Sequence, residues 1–255
     1  ASILSKKLAE GIDALVLDVK CGDGAFMSRP EDARALAESM ASIGRAMGKP
    51  VRALLTNMDV PLGRMVGNAL EIREVVDCLR GEGPADLMEV SLELAAEMLL
   101  LGGVAADREA ALDRCHAAVA DGSALDRFRR VVAAQGGDSR VCDEPLAVLP
   151  KAECVEPIRA DQSGFVGQLR AWPVGQASML LGAGRTTAEG SIDPAAGIVL
   201  RKTVGDAVTA GELLAELHFN LPHAEALPAA VAMFSQAVEL VPEPTTRPPL
   251  ILERL

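Results

Sequence analysis

The apolar positions of the chain fall into three textures. Residues 14–19 (ALVLDV) and 51–57 (VRALLTN) are short, nearly continuous apolar runs, the pattern of strands buried on both faces. LVLDV is too apolar to suit an edge strand. Between the two runs apolar residues recur at helical spacing over 31–47 and stop at Gly48. Ser28-Arg29-Pro30-Glu31 has the spacing of a capping box, with proline in the first turn. A loop, DVPLG, and a further helix over 67–79 follow VRALLTN. Strand, helix, strand, helix predicts a parallel sheet with right-handed crossovers. Residues 85–134 then read as three helices, parted at Gly102-Gly103 and Asp121-Gly122.

The second texture opens the chain. ASILSKKLAEG carries apolar residues at Ile3, Leu4 and Leu8, and Gly11 suits the position just past a helix end. A helix that begins with no cap leads to the expectation that an N-terminal portion precedes it. Residues 136–161 hold Pro145, Pro150 and Pro157 and read as a connector.

From Asp161 the third texture sets in: short β-like runs and glycine turns. The turn from Gly205 to Gly211 resembles that of biotinyl and lipoyl barrels, but no Met-flanked lysine hairpin occurs, and Lys202 lies beside Arg201. A structural β-module is the better reading than a carrier. A last helix over 224–240 precedes a proline-rich end. The fold class expected is α/β: a parallel-sheet α/β domain with flanking helices, plus a C-terminal barrel-like, β-rich α+β module. The divisions are 1–12 as the end of a helical lobe, 13–136 as the central α/β domain, 137–160 as a connector and 161–255 as the module.

Composition narrows the function classes. Half of the 255 residues are hydrophobic (49%), enough for a sizeable core, and the net charge is −11. Scattered cations on an acidic chain argue against nucleic acid or an anionic membrane as partner, though not against a small anionic substrate at a locally positive site. Cys21, Cys78, Cys115, Cys142 and Cys154 show no metal-site spacing and read as reduced, buried thiols. With no membrane-spanning run and no signal peptide in view, cytoplasm is the expected compartment.

Several residues offer chemistry. Ser2 and Lys6, four apart, share one helix face; a hydroxyl and a mobile cation together suit a planar polar ligand on which negative charge develops. The alternative is a solvated lysine beside a capping serine. Asp18 and Lys20 sit at the carboxyl end of the first strand, where open α/β sheets place ligands, or else form an internal ion pair. The following loop, CGDGAFM, raises the question of a phosphate cradle, yet Gly22-x-Gly24 lacks a third glycine and no Gly-Lys-Ser/Thr follows. Phe26 either stacks a ring or fills the core. Glu74 follows the carbonyl-rich loop 59–65; carbonyls and one carboxylate suit a hard, weakly held cation, whereas a surface glutamate is the plain reading. His116, His218 and His223 have no triad-like context and read as surface or helix residues.

Taken together, SKK, DVKxGxGAFM, PLGxxxGNALE, AAQGGD and LGAGR resemble, in order and through nearly the whole chain, the thymidine phosphorylase and pyrimidine-nucleoside phosphorylase family. The resemblance implies a pentosyltransferase: reversible phosphorolysis of thymidine, with uridine and deoxyuridine as further substrates, to free base and (deoxy)ribose 1-phosphate. It implies that Ser2 and Lys6 bind the base, Lys6 in the catalytic role, and that Phe26 lines the base pocket. It implies a potassium ion held partly by the Leu62 and Met65 carbonyls and by Glu74, phosphate as co-substrate, no organic cofactor, and a homodimer at full length. The family's phosphate-binding Lys, Ser and Thr, its His and a base-binding Arg fall before Ser2. The chain therefore resembles the back half of such an enzyme and is expected to be inactive alone. A non-catalytic folded fragment, and a related phosphoribosyltransferase, remain as alternatives.

Overall fold

The computed structural model describes residues 2–185 and 190–255, with the side chains of residues 2 and 3 outside the described set. The chain opens with α1 (Ser2–Ala9), followed by β1 (Leu15–Cys21), α2 (Pro30–Ala46) and β2 (Val51–Asn57). β1 and β2 pair in parallel, from Leu15 opposite Val51 to Cys21 opposite Asn57. Leu4, Leu17, Val19 and Cys21 pack with Ala33, Ala37 and Met40 of α2 and with Ala53 and Leu55 of β2. Ala33 and Ala37 are fully buried; small side chains there let the helix lie close on the strands. Ser28 does not cap α2. Arg29 is the residue before the helix, makes no side-chain cap, and instead grips Asp32 one turn on at 2.8 Å.

β1 is the outer strand of its sheet among the described residues, contrary to the expectation from LVLDV; its apolar side chains are covered by helices rather than flanked by two strands. The third strand is β10 (Ile251–Arg254), antiparallel to β2. The proline-rich end thus closes in a strand, which the preceding prolines masked in the sequence. β10 is fixed from the helical side: Arg254 reaches Glu93 at 2.9 Å and Glu97 at 3.3 Å on α4 (Ala85–Leu101), and Arg52 of β2 pairs with Glu97 as well. α3 (Asn68–Leu79), α5 (Arg108–Ala120) and α6 (Ser123–Ala134) complete the helical complement of this half.

β3 (Met65–Val66) leaves the first half and pairs antiparallel with β6 (Gly197–Leu200) of the second. Residues 137–160, expected as a connector, carry α7 (Pro145–Val148) and β4 (Cys154–Arg159). With β5 (Gly164–Leu169), α8 (Ala171–Ser178), β7 (Ala207–Val208), β8 (Leu213–Phe219), α9 (Leu227–Ser235) and β9 (Val238–Val241), the strands form two sheets, ordered β3-β6-β8-β4 and β7-β5-β9. They share a core around Val166, Leu181, Ile198, Leu217 and Phe234. The α/β class holds; among the described residues the second half is two open sheets, not a closed barrel. The last helix is shorter than the pattern over 224–240 suggests, because 238–241 pairs with β5 as β9. Lys202 bonds the Ala207 carbonyl at 2.9 Å and Glu212 at 2.5 Å, so it is tied into the module rather than presented at a hairpin tip. No helix among the described residues is long and apolar enough to cross a membrane.

Candidate functional site

The opening helix and the loop after β1 are anchored in one core. Leu4 of α1 and Met27, the neighbour of Phe26, both pack in the cluster built on β1 and α2. That anchoring leaves other side chains outward. Lys6 is exposed and forms no ion pair among the described residues, whereas Lys7 beside it takes Glu10 at 3.2 Å. Phe26 is 96% exposed, which overturns the core-filling alternative for it. Ser2 lies on α1 by its backbone, but its side chain is outside the described set. Asp18 and Lys20 form the internal ion pair, at 2.6 Å, with Asp18 also accepting from the Thr56 hydroxyl.

The glycine loop does not offer its amides to a ligand. Gly22 N–H bonds the Met27 carbonyl at 3.1 Å, Gly24 N–H the Met58 carbonyl at 2.9 Å and Ala25 N–H the Gly22 carbonyl at 3.1 Å. Asp23 N–H donates to Asp59 Oδ1 at 2.9 Å. A phosphate cradle needs free, convergent N–H groups; these four are engaged, and two carboxylates stand beside them. Gly22 has φ +131°, and a Cβ there would come within 2.5 Å of Asp59 Oδ1. The glycine is required by the close approach of Asp59, not by an anion. Asp23 turns the other way: Oδ1 accepts from Arg170 at 2.6 Å and Oδ2 from the Trp172 amide at 2.9 Å.

The loop 59–65 is held from three sides. Glu74 of α3 is 4% exposed and accepts from the Arg64 amide at 2.7 Å and, more weakly, from the Met65 amide at 3.4 Å. Asp86 of α4 accepts from the Gly63 amide at 3.1 Å and pairs with Arg247, whose other nitrogen bonds the Pro61 carbonyl at 2.9 Å. Gly63 has φ +77°, and a Cβ would strike Glu74 Oε2 at 2.5 Å. Burial pushes the Glu74 carboxyl up from its ordinary value, against the two amides that pull it down; Asp86 adds to the rise. For Asp86 burial acts the same way, but Arg247, the Gly63 amide and Arg64 together hold it below the usual range. The plain reading of Glu74 as a surface residue is therefore wrong.

These donors fit a hard cation. Glu74 is a buried carboxylate with no ion pair among the described residues, and Asp86 Oδ1 is buried without a hydrogen-bond partner. The Arg64 carbonyl accepts from Leu200 on β6, so alternation along β3 turns the Met65 N–H and carbonyl away from β6, and the N–H reaches Glu74. The Met65 amide and Glu74 thus meet at this loop, in which Leu62 also lies.

Comparison with known proteins decides the family. The family described as "Glycosyl transferase family, a/b domain" matches residues 1–125, and "Pyrimidine nucleoside phosphorylase C-terminal domain" matches residues 165–240. The pyrimidine-nucleoside phosphorylase of Geobacillus stearothermophilus is 48% identical over 220 residues, 86% of this chain and 51% of the relative. That of Staphylococcus haemolyticus (strain JCSC1435) is 45% identical over 246 residues, 96% of this chain and 56% of the relative. That of Staphylococcus aureus (strain USA300) is 47% identical over 220 residues, 86% and 51%.

The chain belongs to the pyrimidine-nucleoside phosphorylase family. It spans about half the length of the curated relatives it matches. The a/b-domain match of this phosphorylase-family chain runs from α1 into α6, and the C-terminal-domain match runs from β5 into β9. Asp23–Arg170 joins the two matched ranges directly. Sequence reasoning missed Asp23, Asp59, Asp86, Arg170 and Arg247. The loop acids carried a weak signal, since each lies in or beside a glycine turn. Arg247 carried none, because its partner is 161 residues away.

Proposed function

We propose that the chain supplies the base-binding wall of a pyrimidine-nucleoside phosphorylase. The substrates are a pyrimidine nucleoside, thymidine first with uridine and deoxyuridine to be compared against it, and inorganic phosphate. Phosphate attacks the anomeric carbon, the carbon–nitrogen bond breaks, and its electron pair leaves with the pyrimidine. Negative charge then spreads to the base carbonyls. A cation beside them lowers the barrier because it is worth more to the departing anion than to the bound neutral base. Lys6 is assigned that role, with Ser2 as a hydrogen-bonding partner of the base and Phe26 as a wall against its ring. None of phosphate binding is assigned to these 255 residues.

One observation carries the reading: α1 and the 22–27 loop are anchored in one core through Leu4 and Met27, while Lys6 and Phe26 stay outside it, uncommitted. An aromatic ring 96% exposed beside a rigid loop is the kind of surface a ligand covers. Potassium belongs to the proposal as a structural ion, with Leu62, Met65 and Glu74 as its ligands here; it would neutralise buried negative charge and fix the loop. Homodimerisation and a cytoplasmic setting complete the reading. Titrating thymine and uracil into the chain tests it: Lys6→Gln and Phe26→Ala should each weaken base binding by about tenfold, and wild-type affinity in both variants would refute the assignment.

A further inference from the structure

A cavity of about 270 Å³ opens between α3, the segment after α7 and the strands β4 and β8, at the small end of ligand pockets. Its walls are apolar, with Leu70, Leu149 and Val155 among them, and its polar lining comes from Arg73, Lys151 and His218. No carboxylate lines it among the described residues.

That composition is unusual for a chain of net charge −11. Arg73 is half-buried, yet it makes no hydrogen bond and no ion pair among the described residues, and Lys151 likewise makes none. The Arg73 guanidinium donors are therefore available to a ligand that enters the cavity. Most of the chain's other buried or half-buried arginines are paired, as Arg247 is with Asp86 and Arg129 with Asp143. His218 Nε2 is buried with no partner. Glu216, the acid whose charge acts on it, is held by Arg201 at 2.7 Å. Burial lowers the His218 pKa from its ordinary value, against Glu216 and in the same sense as Arg201 and Arg73, so a neutral ring lines the cavity. Two uncommitted cations and an apolar wall are complementary to one kind of molecule.

We propose that this cavity binds a small amphipathic monoanion, its short-chain or single-ring body against Leu70, Leu149 and Val155 and its carboxylate held by Arg73 and Lys151. His218, whose ring lines the cavity, reports on its occupancy.

The test is calorimetric titration of octanoate, with octan-1-ol as the uncharged control, into the 255-residue chain. A parallel NMR measurement follows the His218 ring resonances. Octanoate should bind and move the His218 signals, and octanol should bind at least about tenfold more weakly. Arg73→Gln and Lys151→Gln should each weaken octanoate by about tenfold while leaving octanol unchanged. Should Arg73→Gln perturb folding, Lys151→Gln on its exposed segment still decides the matter. The proposal is overturned by no octanoate binding, by equal affinity for octanol, or by octanoate binding that neither substitution alters. Occlusion of the cavity by a second copy of the chain would appear as the first of these.

Discussion

Asp23 accepts from Arg170 at 2.6 Å with one carboxylate oxygen and from the Trp172 amide at 2.9 Å with the other. One side chain of the loop after β1 therefore fastens that loop to the start of α8, and so sets the base on which Phe26 is presented. The ion pair is partly exposed on the arginine side and contributes little by itself; the bond to the Trp172 amide matters more. Asp23→Ala should cost about 1–2 kcal/mol and lower Tm by about 2–8 °C. Scanning calorimetry reads this directly, and an unchanged Tm would show that α8 and the loop hold position without the tie.

Gly22 is a second point of dependence. Its φ of +131° is strained for any side chain, and its Cβ would collide with both the carboxylate and the amide of Asp59. Gly22→Ala should destabilise by about 2–4 kcal/mol, since neither backbone nor partner can give way cheaply. Gly11→Ala is the control: φ is also positive there, but nothing lies within 4 Å, so only the smaller backbone term applies. Equal losses at the two positions in urea denaturation would refute the role given to Asp59.

Glu74 makes a prediction with a definite sign. Burial raises its folded-state pKa above the unfolded value, so the folded chain binds the proton more tightly. Its contribution to stability is present below the unfolded glutamate pKa and is lost as pH rises through the folded one. At neutral pH the ionised, buried carboxylate is a cost that a bound cation offsets. Potassium at about 100 times its Kd should then add about 2.7 kcal/mol, seen as a rise in Tm of the wild type at pH 7.5. Glu74→Gln should keep the bond from the Arg64 amide but lose the potassium response. A potassium-induced shift of the same size in both proteins would remove Glu74 from the ligand set.

The parallel βαβ unit was legible in the sequence because its signals are local: two apolar runs, a helical repeat between them, and glycine at the helix end. The three helices over 85–134 were legible for the same reason. Legibility failed where long-range pairing decides the outcome. β10 follows a run of prolines and becomes a strand only because β2 has an open edge for it. Val238–Val241 continues a helical pattern until β5 captures it. Lys6 and Phe26 were singled out by spacing and resemblance, and both stand exposed. The fate of the Asp23 and Gly24 amides was not visible, because their acceptors Asp59 and Met58 lie beyond β2. The glycine pattern of CGDGAFM did argue correctly against a phosphate cradle. His218 was read as a surface or helix residue; it lies on β8 within the β-like stretch, and nothing local showed that it would line a cavity.

The base-wall assignment is tested most directly in a chimera in which this chain replaces the matching half of the Geobacillus stearothermophilus relative, by following base release from thymidine and uridine in phosphate. The chimera should release base, and Lys6→Gln should lower kcat/KM by about 10²–10³-fold while Phe26→Ala raises the KM for nucleoside and leaves that for phosphate nearly unchanged. A folded chimera whose rate is indifferent to Lys6→Gln would contradict the account.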